Sequence, residues 1–246
     1  GVIPPAARAE AVSVNYLYNL SDFSGTVPYN DVKLYADRLH DEVYAVVGNS
    51  VRVFNASGME IHHFDLDPGL GTVFDLAVDE SGDLLLLGLS LAPADPRPGW
   101  SITRCTYRGQ PVGRIAITGL PKELAAFRPN VMLYGGGRIV LASLAQYQVV
   151  EINRSGAFQR AHDLAKLLGM KDADRSRNDI AAFSMDRRGH MLITVPTLFK
   201  AFVVSPEGKV RDVGHAGSAP GSFGVVAGIV ADEHGNLIVA DKGRGV

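Results

Sequence analysis

Short polar turns that close on glycine recur along this chain at an interval near fifty residues, and that spacing restricts the available folds more than any other feature. The segments Val53-Phe54-Asn55-Ala56-Ser57-Gly58, Cys105-Thr106-Tyr107-Arg108-Gly109, Ile152-Asn153-Arg154-Ser155-Gly156 and Val203-Val204-Ser205-Pro206-Glu207-Gly208 place their glycines 51, 47 and 52 residues apart. A fixed period of this size means stacked copies of one structural unit. A second pattern alternates with the first: an acid, two polar residues, Gly, one polar residue and an apolar run. It stands as Asp79-Glu80-Ser81-Gly82-Asp83-Leu84, Asp186-Arg187-Arg188-Gly189-His190-Met191 and Asp232-Glu233-His234-Gly235-Asn236-Leu237, with degenerate copies at Gly135-Gly136-Gly137-Arg138-Ile139 and His40-Asp41-Glu42-Val43. Both patterns are hairpin signals. In two copies the glycine of the second pattern precedes that of the first by 19 residues (137 to 156 and 189 to 208), room for a strand, a crossing loop and another strand. Each unit therefore reads as a four-stranded meander.

The strands between these turns are almost continuously apolar, as in Leu76-Ala77-Val78, Leu84 to Leu87, Ile229-Val230-Ala231 and Leu237 to Ala240. Such runs are covered on both faces. Four-stranded sheets buried on both sides and repeated at this length match the blades of a β-propeller, where each sheet packs on its neighbours around a channel. Composition agrees: 27 Gly and 13 Pro spread over 246 residues suit many short turns and not a helix bundle, and 46% hydrophobic against 20% charged residues excludes disorder. The expectation is an all-β chain folded as a single domain, with blades at about 32–66, 72–118, 129–160 and 179–213, a partial one at 222–246, and residues 11–20 as a ring-closing strand.

Gly221-Ser222-Phe223, Gly228-Ile229-Val230-Ala231-Asp232 and Gly235-Asn236-Leu237-Ile238-Val239-Ala240-Asp241 closely resemble the NHL repeat, a blade unit of six-bladed propellers. As a period the resemblance covers about residues 32–246, and it is partial outside that copy. It implies an antiparallel propeller of the six-bladed NHL/TolB-like type. The sequence departs from the pattern at Asp241-Lys242-Gly243-Arg244-Gly245-Val246, where a third strand should begin, so the expected propeller is incomplete by about one and a half blades, with a five-unit ring as the alternative. Animal NHL proteins that bind RNA use strongly basic faces. Here Arg128, Arg175 and Arg177 are offset by Asp172, Asp174 and Asp179, and that role is carried to no residue.

Within a blade, the turns joining strands one to two and three to four lie on one face, and they are short and uniform here. The loops of the opposite face hold the irregular material: residues 90–100, 119–129 and 161–178. Variation confined to one face marks a binding surface, because loops carry it while the blades hold them in place. Asp95, Arg97, Trp100, Arg128, Arg175, Arg177 and His215 are its candidate contacts. Trp100 beside Arg97 has the composition of a contact hot spot, or else its ring lies down on the local core. Leu164, Leu167 and Leu168 at helical spacing behind Asp163 point to a short helix over the rim.

No H-E-x-x-H, G-x-S-x-G, Walker or EF-hand pattern occurs, and no catalytic or metal-ligating set is assigned. The single Cys105 excludes an internal disulfide and a Cys-based zinc site. Of the seven His, only His162 and His215 fall in variable-face loops, which makes a weak zinc case. Asp75 and Asp179 could offer calcium ligands at the channel mouth, or bond the backbone of a neighbouring blade instead. No cofactor is assigned, with a channel Ca or Zn left open. A net charge of −2 without runs of like charge argues against nucleic acid and anionic lipid, and no stretch reaches the roughly 20 apolar residues of a membrane helix. Gly1-Val2-Ile3-Pro4-Pro5 reads as a processed or trimmed start; a removed signal peptide would make the protein periplasmic or secreted, while a tag-cleavage scar would leave the same terminus. The expected function is a scaffold that binds a protein or small ligand through its long-loop face. The alternative is a metal-dependent propeller enzyme, a lactonase- or esterase-like hydrolase or a lyase.

Overall fold

Two kinds of turn account for most of the hairpins. In the acidic kind, one Asp79 oxygen accepts the amides of Ser81 (2.9 Å) and Asp83 (3.1 Å), and Gly82 takes a φ of 83° to close on the Asp79 carbonyl. Asp186 and Asp232 repeat this with Arg188 and His190, and with His234 and Asn236. In the other kind Asn55 and Asn153 play the same part, each accepting two amides and a Ser hydroxyl. A short side chain that bonds its own backbone, followed by a glycine in the left-handed region, reverses the chain within a few residues.

A computed structural model describes residues 16, 19–22, 25–26, 32–37, 39–90, 99–219 and 221–243. Ala11–Tyr18, where a ring-closing strand is expected, lies outside them except for Tyr16. A two-residue hairpin, β1 (Ser21–Asp22) with β2 (Gly25–Thr26), precedes the first blade. That blade is the antiparallel sheet β3 (Lys33–Asp37), β4 (Glu42–Val47), β5 (Ser50–Asn55) and β6 (Glu60–Asp65). The second is β7 (Thr72–Val78), β8 (Leu84–Ser90), β9 (Gly99–Cys105) and β10 (Pro111–Ala116). The third is β11 (Val131–Gly135), β12 (Arg138–Ser143), β13 (Gln148–Asn153) and β14 (Phe158–Asp163). Helices α1 (Leu164–Leu167) and α2 (Asp172–Arg175) lead to the fourth, β15 (Ala182–Met185), β16 (Met191–Val195), β17 (Lys200–Val204) and β18 (Val210–Val213). A hairpin of β19 (Val226–Ala231) and β20 (Leu237–Asp241) follows.

The chain forms two compact units: Tyr16–Ser143 with Val149–Ala161, and Leu144–Gln148 with His162–Val246. In the first, β8 shows why its run of leucines is unbroken. Leu84 and Leu86 pack towards the first blade with Val46, Val53 and Cys105, while Leu85 and Leu87 pack towards the third with Met132, Ile139 and Ile152. Alternate residues of a strand face opposite ways, so a sheet sandwiched between two others is apolar at every position. The first strands β3, β7 and β11 stand side by side, as β15 and β19 do in the second unit. There, Leu192 and Ala201 pack on Val226 and Ile229.

Candidate functional site

Of the proposed long-loop contacts, Asp95 and Arg97 lie outside the described residues. Trp100 is the second residue of β9, paired with Leu89, and not part of a loop. Its ring is half-buried against Phe74, with centroids 4.7 Å apart, at the edge of the core between the second and third blades. This is the packed alternative of its two readings. Arg128 is exposed on the connection to the third blade, which is held down by the buried side chains of Leu124 and Phe127.

In the second unit the 161–180 connection is tightly built. Asp163 caps α1 by accepting the Lys166 amide (3.0 Å) and also pairs with Arg175 (3.0 Å). Leu164 and Ala165 are fully buried, and the Leu164 amide donates to the Tyr147 carbonyl. The buried Asn178 accepts from Thr197 at its side-chain oxygen, donates to the Asp174 carbonyl, and receives the Tyr147 hydroxyl at its own carbonyl. Arg177 and Asp179 flank it, both exposed. His215 is exposed beyond β18, and its carbonyl accepts the Phe223 amide. Arg175, Arg177 and His215 thus share one unit, and Trp100 and Arg128 the other.

Among the described residues no three of His, Cys, Asp and Glu come together as a ligand set. Asp75 stitches blades: its carboxylate accepts the Met132 amide of β11 (2.7 Å) and the Leu76 amide (3.0 Å). Burial pushes its pKa up to about 6, against those two hydrogen bonds. His190 bonds Asp186 at 2.6 Å, and His62 packs on Phe64 and Tyr107.

The opposite face, with its short turns, carries a feature that sequence reasoning missed. Between the second and third blades opens a cavity of about 350 Å³, floored by Leu85, Ile115 and Ile139. Arg104 forms one wall, paired with Asp79 (2.9 Å) and Asp83 (2.8 Å) and bonded to Ser81 (3.0 Å). At the rim Glu80 of the second blade accepts Tyr134 and Arg154 of the third. These bonds, Tyr134 first, hold the Glu80 carboxyl down at about 2, while burial and then the Glu80 hydrogen bond raise the Tyr134 phenol to about 12. The only sequence signal was the turn acid itself, Asp79, which marks where the rim begins.

No protein-family model matches the chain, and no curated protein does. Solved structures do. A streptogramin B lyase matches at 15% identity with a TM-score of 0.53 over 91% of this chain and 83% of that one. A virginiamycin B lyase from Staphylococcus aureus matches at 14% and 0.51 over 85% of this chain, which spans only 62% of the lyase. The extracellular domain of a putative one-component system from B. thetaiotaomicron matches at 12% and 0.50 over 88% of this chain and 27% of that one. These neighbours are propellers. The fold is a β-propeller. At such identities the likeness carries the fold alone. Among the described residues no helix is long and apolar enough to cross a membrane.

Proposed function

We propose that this propeller is of the six-bladed NHL type and works as a binding scaffold, engaging a protein or small ligand, and not nucleic acid, through its long-loop face. The observation that carries the reading is the 161–180 segment. A connection that serves only to join two blades needs few internal bonds, since loops otherwise run loosely over the surface. This one fixes Asp163, Asn178 and Tyr147 in a shared network while leaving Arg177 and Asp179 exposed. Exposed charge on a rigid base loses little conformational freedom when a partner docks. The reading assigns no cofactor, treats the chain as one functional domain, and places the protein in the periplasm or outside the cell, in keeping with an extracellular domain among its structural neighbours.

A second reading, a metal-dependent propeller enzyme, draws on the names of the two lyases that share the fold. The two are separated by cross-linking of the purified protein in an extract of its host compartment, together with elemental analysis. The scaffold predicts one cross-linked partner that is lost on Arg177→Glu and kept on Arg154→Ala. A stoichiometric divalent metal with no such partner overturns it in favour of the enzyme.

A further inference from the structure

We propose that the cleft between the second and third blades, on the face opposite the long loops, binds an apolar α-amino acid in its zwitterionic form. Three features of the cleft select that class together. Its floor of Leu85, Ile115 and Ile139 is aliphatic and can take an apolar side chain. Its rim carries both signs of charge within one opening: Glu80 and Arg154 are 52% and 63% exposed, and Arg104 is 43% exposed. Each sign keeps some bonding capacity. Arg104 uses Nη2 and Nε on Asp79, Ser81 and Asp83 and makes no bond at Nη1 to a described residue. Arg154 gives Nη2 to Glu80 and also bonds Tyr134, and Glu80 accepts Tyr134 and Arg154 at one oxygen, Oε2.

A simple anion would meet the carboxylates of Asp79, Glu80 and Asp83, and a simple cation the two guanidiniums. A ligand carrying an ammonium and a carboxylate on adjacent carbons matches both, with the ammonium at Glu80, the carboxylate at the free guanidinium edges, and the side chain on the aliphatic floor. Charge-assisted hydrogen bonds of this kind fix orientation, and the apolar contact supplies the burial. A volume of about 350 Å³ stands at the small end of ligand pockets and suits a ligand of amino-acid size. The site is separate from the long-loop face and stands or falls independently of it.

Calorimetric titration of the intact protein with L-leucine, leucinamide, N-acetyl-leucine and glycine tests the assignment. Leucine is expected to bind, with each blocked derivative weaker by about tenfold, because each leaves one charged rim group without its partner. Glycine, lacking the apolar body, is expected to bind more weakly still. Glu80→Gln and Arg154→Ala, both at positions more than half exposed, should each weaken leucine by about tenfold in protein whose circular dichroism matches wild type, and Arg177→Ala should leave it unchanged. Absence of leucine binding overturns the proposal. So does equal binding of leucine and its two blocked derivatives, which needs no variant to interpret, or leucine binding that survives both rim substitutions.

Discussion

The crevice between the second and third blades and the one between the fourth blade and the β19–β20 hairpin start from the same turn and end differently. Asp79 and Asp186 occupy the same place in their turns, Leu85 and Leu192 the same place on the floor, and Ile139 and Leu237 face them. In the first crevice Glu80, Tyr134 and Arg154 bridge the rim, and the backbone joins in: Thr118 donates to Gly156, whose α-carbon lies against the Ala116 carbonyl. In the second, of about 310 Å³, Asp186 turns to His190, and Arg188, Lys209 and Arg211 have no carboxylate within ion-pair distance among the described residues. The repeated turn sets the near wall of a crevice. Whether the rim is bridged depends on what the next blade brings: Tyr134 and Arg154 reach Glu80 in the first crevice, whereas the second keeps the cations of its own fourth blade.

The sharpest way to break this comparison is at the glycines of the third-to-fourth-strand turns. Gly156 and Gly208 have nearly the same φ, 88° and 82°. A Cβ on Gly156 would stand 2.1 Å from the Ala116 carbonyl oxygen, whereas on Gly208 it would meet only the flexible end of Leu167 at 3.5 Å. Both alanine variants carry the strain of the left-handed region, about 1–2 kcal/mol, and Gly156→Ala adds a backbone clash, for a total of about 3–5 kcal/mol. Thermal melts should show a fall of about 10 °C for Gly156→Ala and a clearly smaller one for Gly208→Ala. Equal falls would mean that the close backbone approach at Gly156 does not distinguish the two turns.

The next contrast is how each seam is stitched near its first strands. Asp75 accepts the Met132 amide in one, and Ser184 donates to the Ile229 carbonyl at 2.7 Å in the other. Only the first can titrate. The folded-state pKa of Asp75, about 6, lies above the ordinary value of 3.8, so its contribution to stability is full below about pH 4 and is lost as the pH rises through about 6. The loss is on the order of 2–3 kcal/mol, and Asp75→Asn, which keeps an acceptor for Met132, should flatten the slope of urea-unfolding stability between pH 4 and 6.5. Ser184→Ala should cost about 1 kcal/mol and leave that slope unchanged. A pH slope identical in wild type and Asp75→Asn would remove Asp75 as its source.

What was legible beforehand follows the range of the interactions. The turns were readable because Asp79, Asn153 and their counterparts bond amides two and four residues away. Strand identity was readable because a leucine run needs cover on both sides. The short helix behind Asp163 was readable for the same local reason, a capping oxygen three residues before the amide it accepts. The irregular stretch 90–100 reads as loop and carries Trp100 with it, yet Gly99 pairs with Ser90 and opens the strand that Trp100 continues. The cleft was invisible in sequence: Glu80 meets Tyr134 and Arg154 across 54 and 74 residues, and only stacking of one blade on the next brings them together. Asp75 and Met132, 57 residues apart, meet for the same reason, although bonding to a neighbouring blade's backbone was one of the two readings of Asp75.

The smallest expected effect tests whether the rim bridge is held in solution. Two causes raise the Tyr134 phenol to about 12: burial first, then the Glu80 carboxylate, which accepts its proton and repels the phenolate. Glu80→Gln keeps the shape and an acceptor but removes the charge, so the phenol should move part of the way back towards 10 and stop short of it, because burial remains. Arg154→Ala should act in the other direction, since the guanidinium favours the phenolate. With eight tyrosines in the chain, the shift is read as the difference in ultraviolet titration between each variant and its counterpart carrying Tyr134→Phe. A Tyr134 that titrates near 10 in the wild type would mean that the bridge opens freely, leaving the first crevice with a rim as unfixed as that of the second.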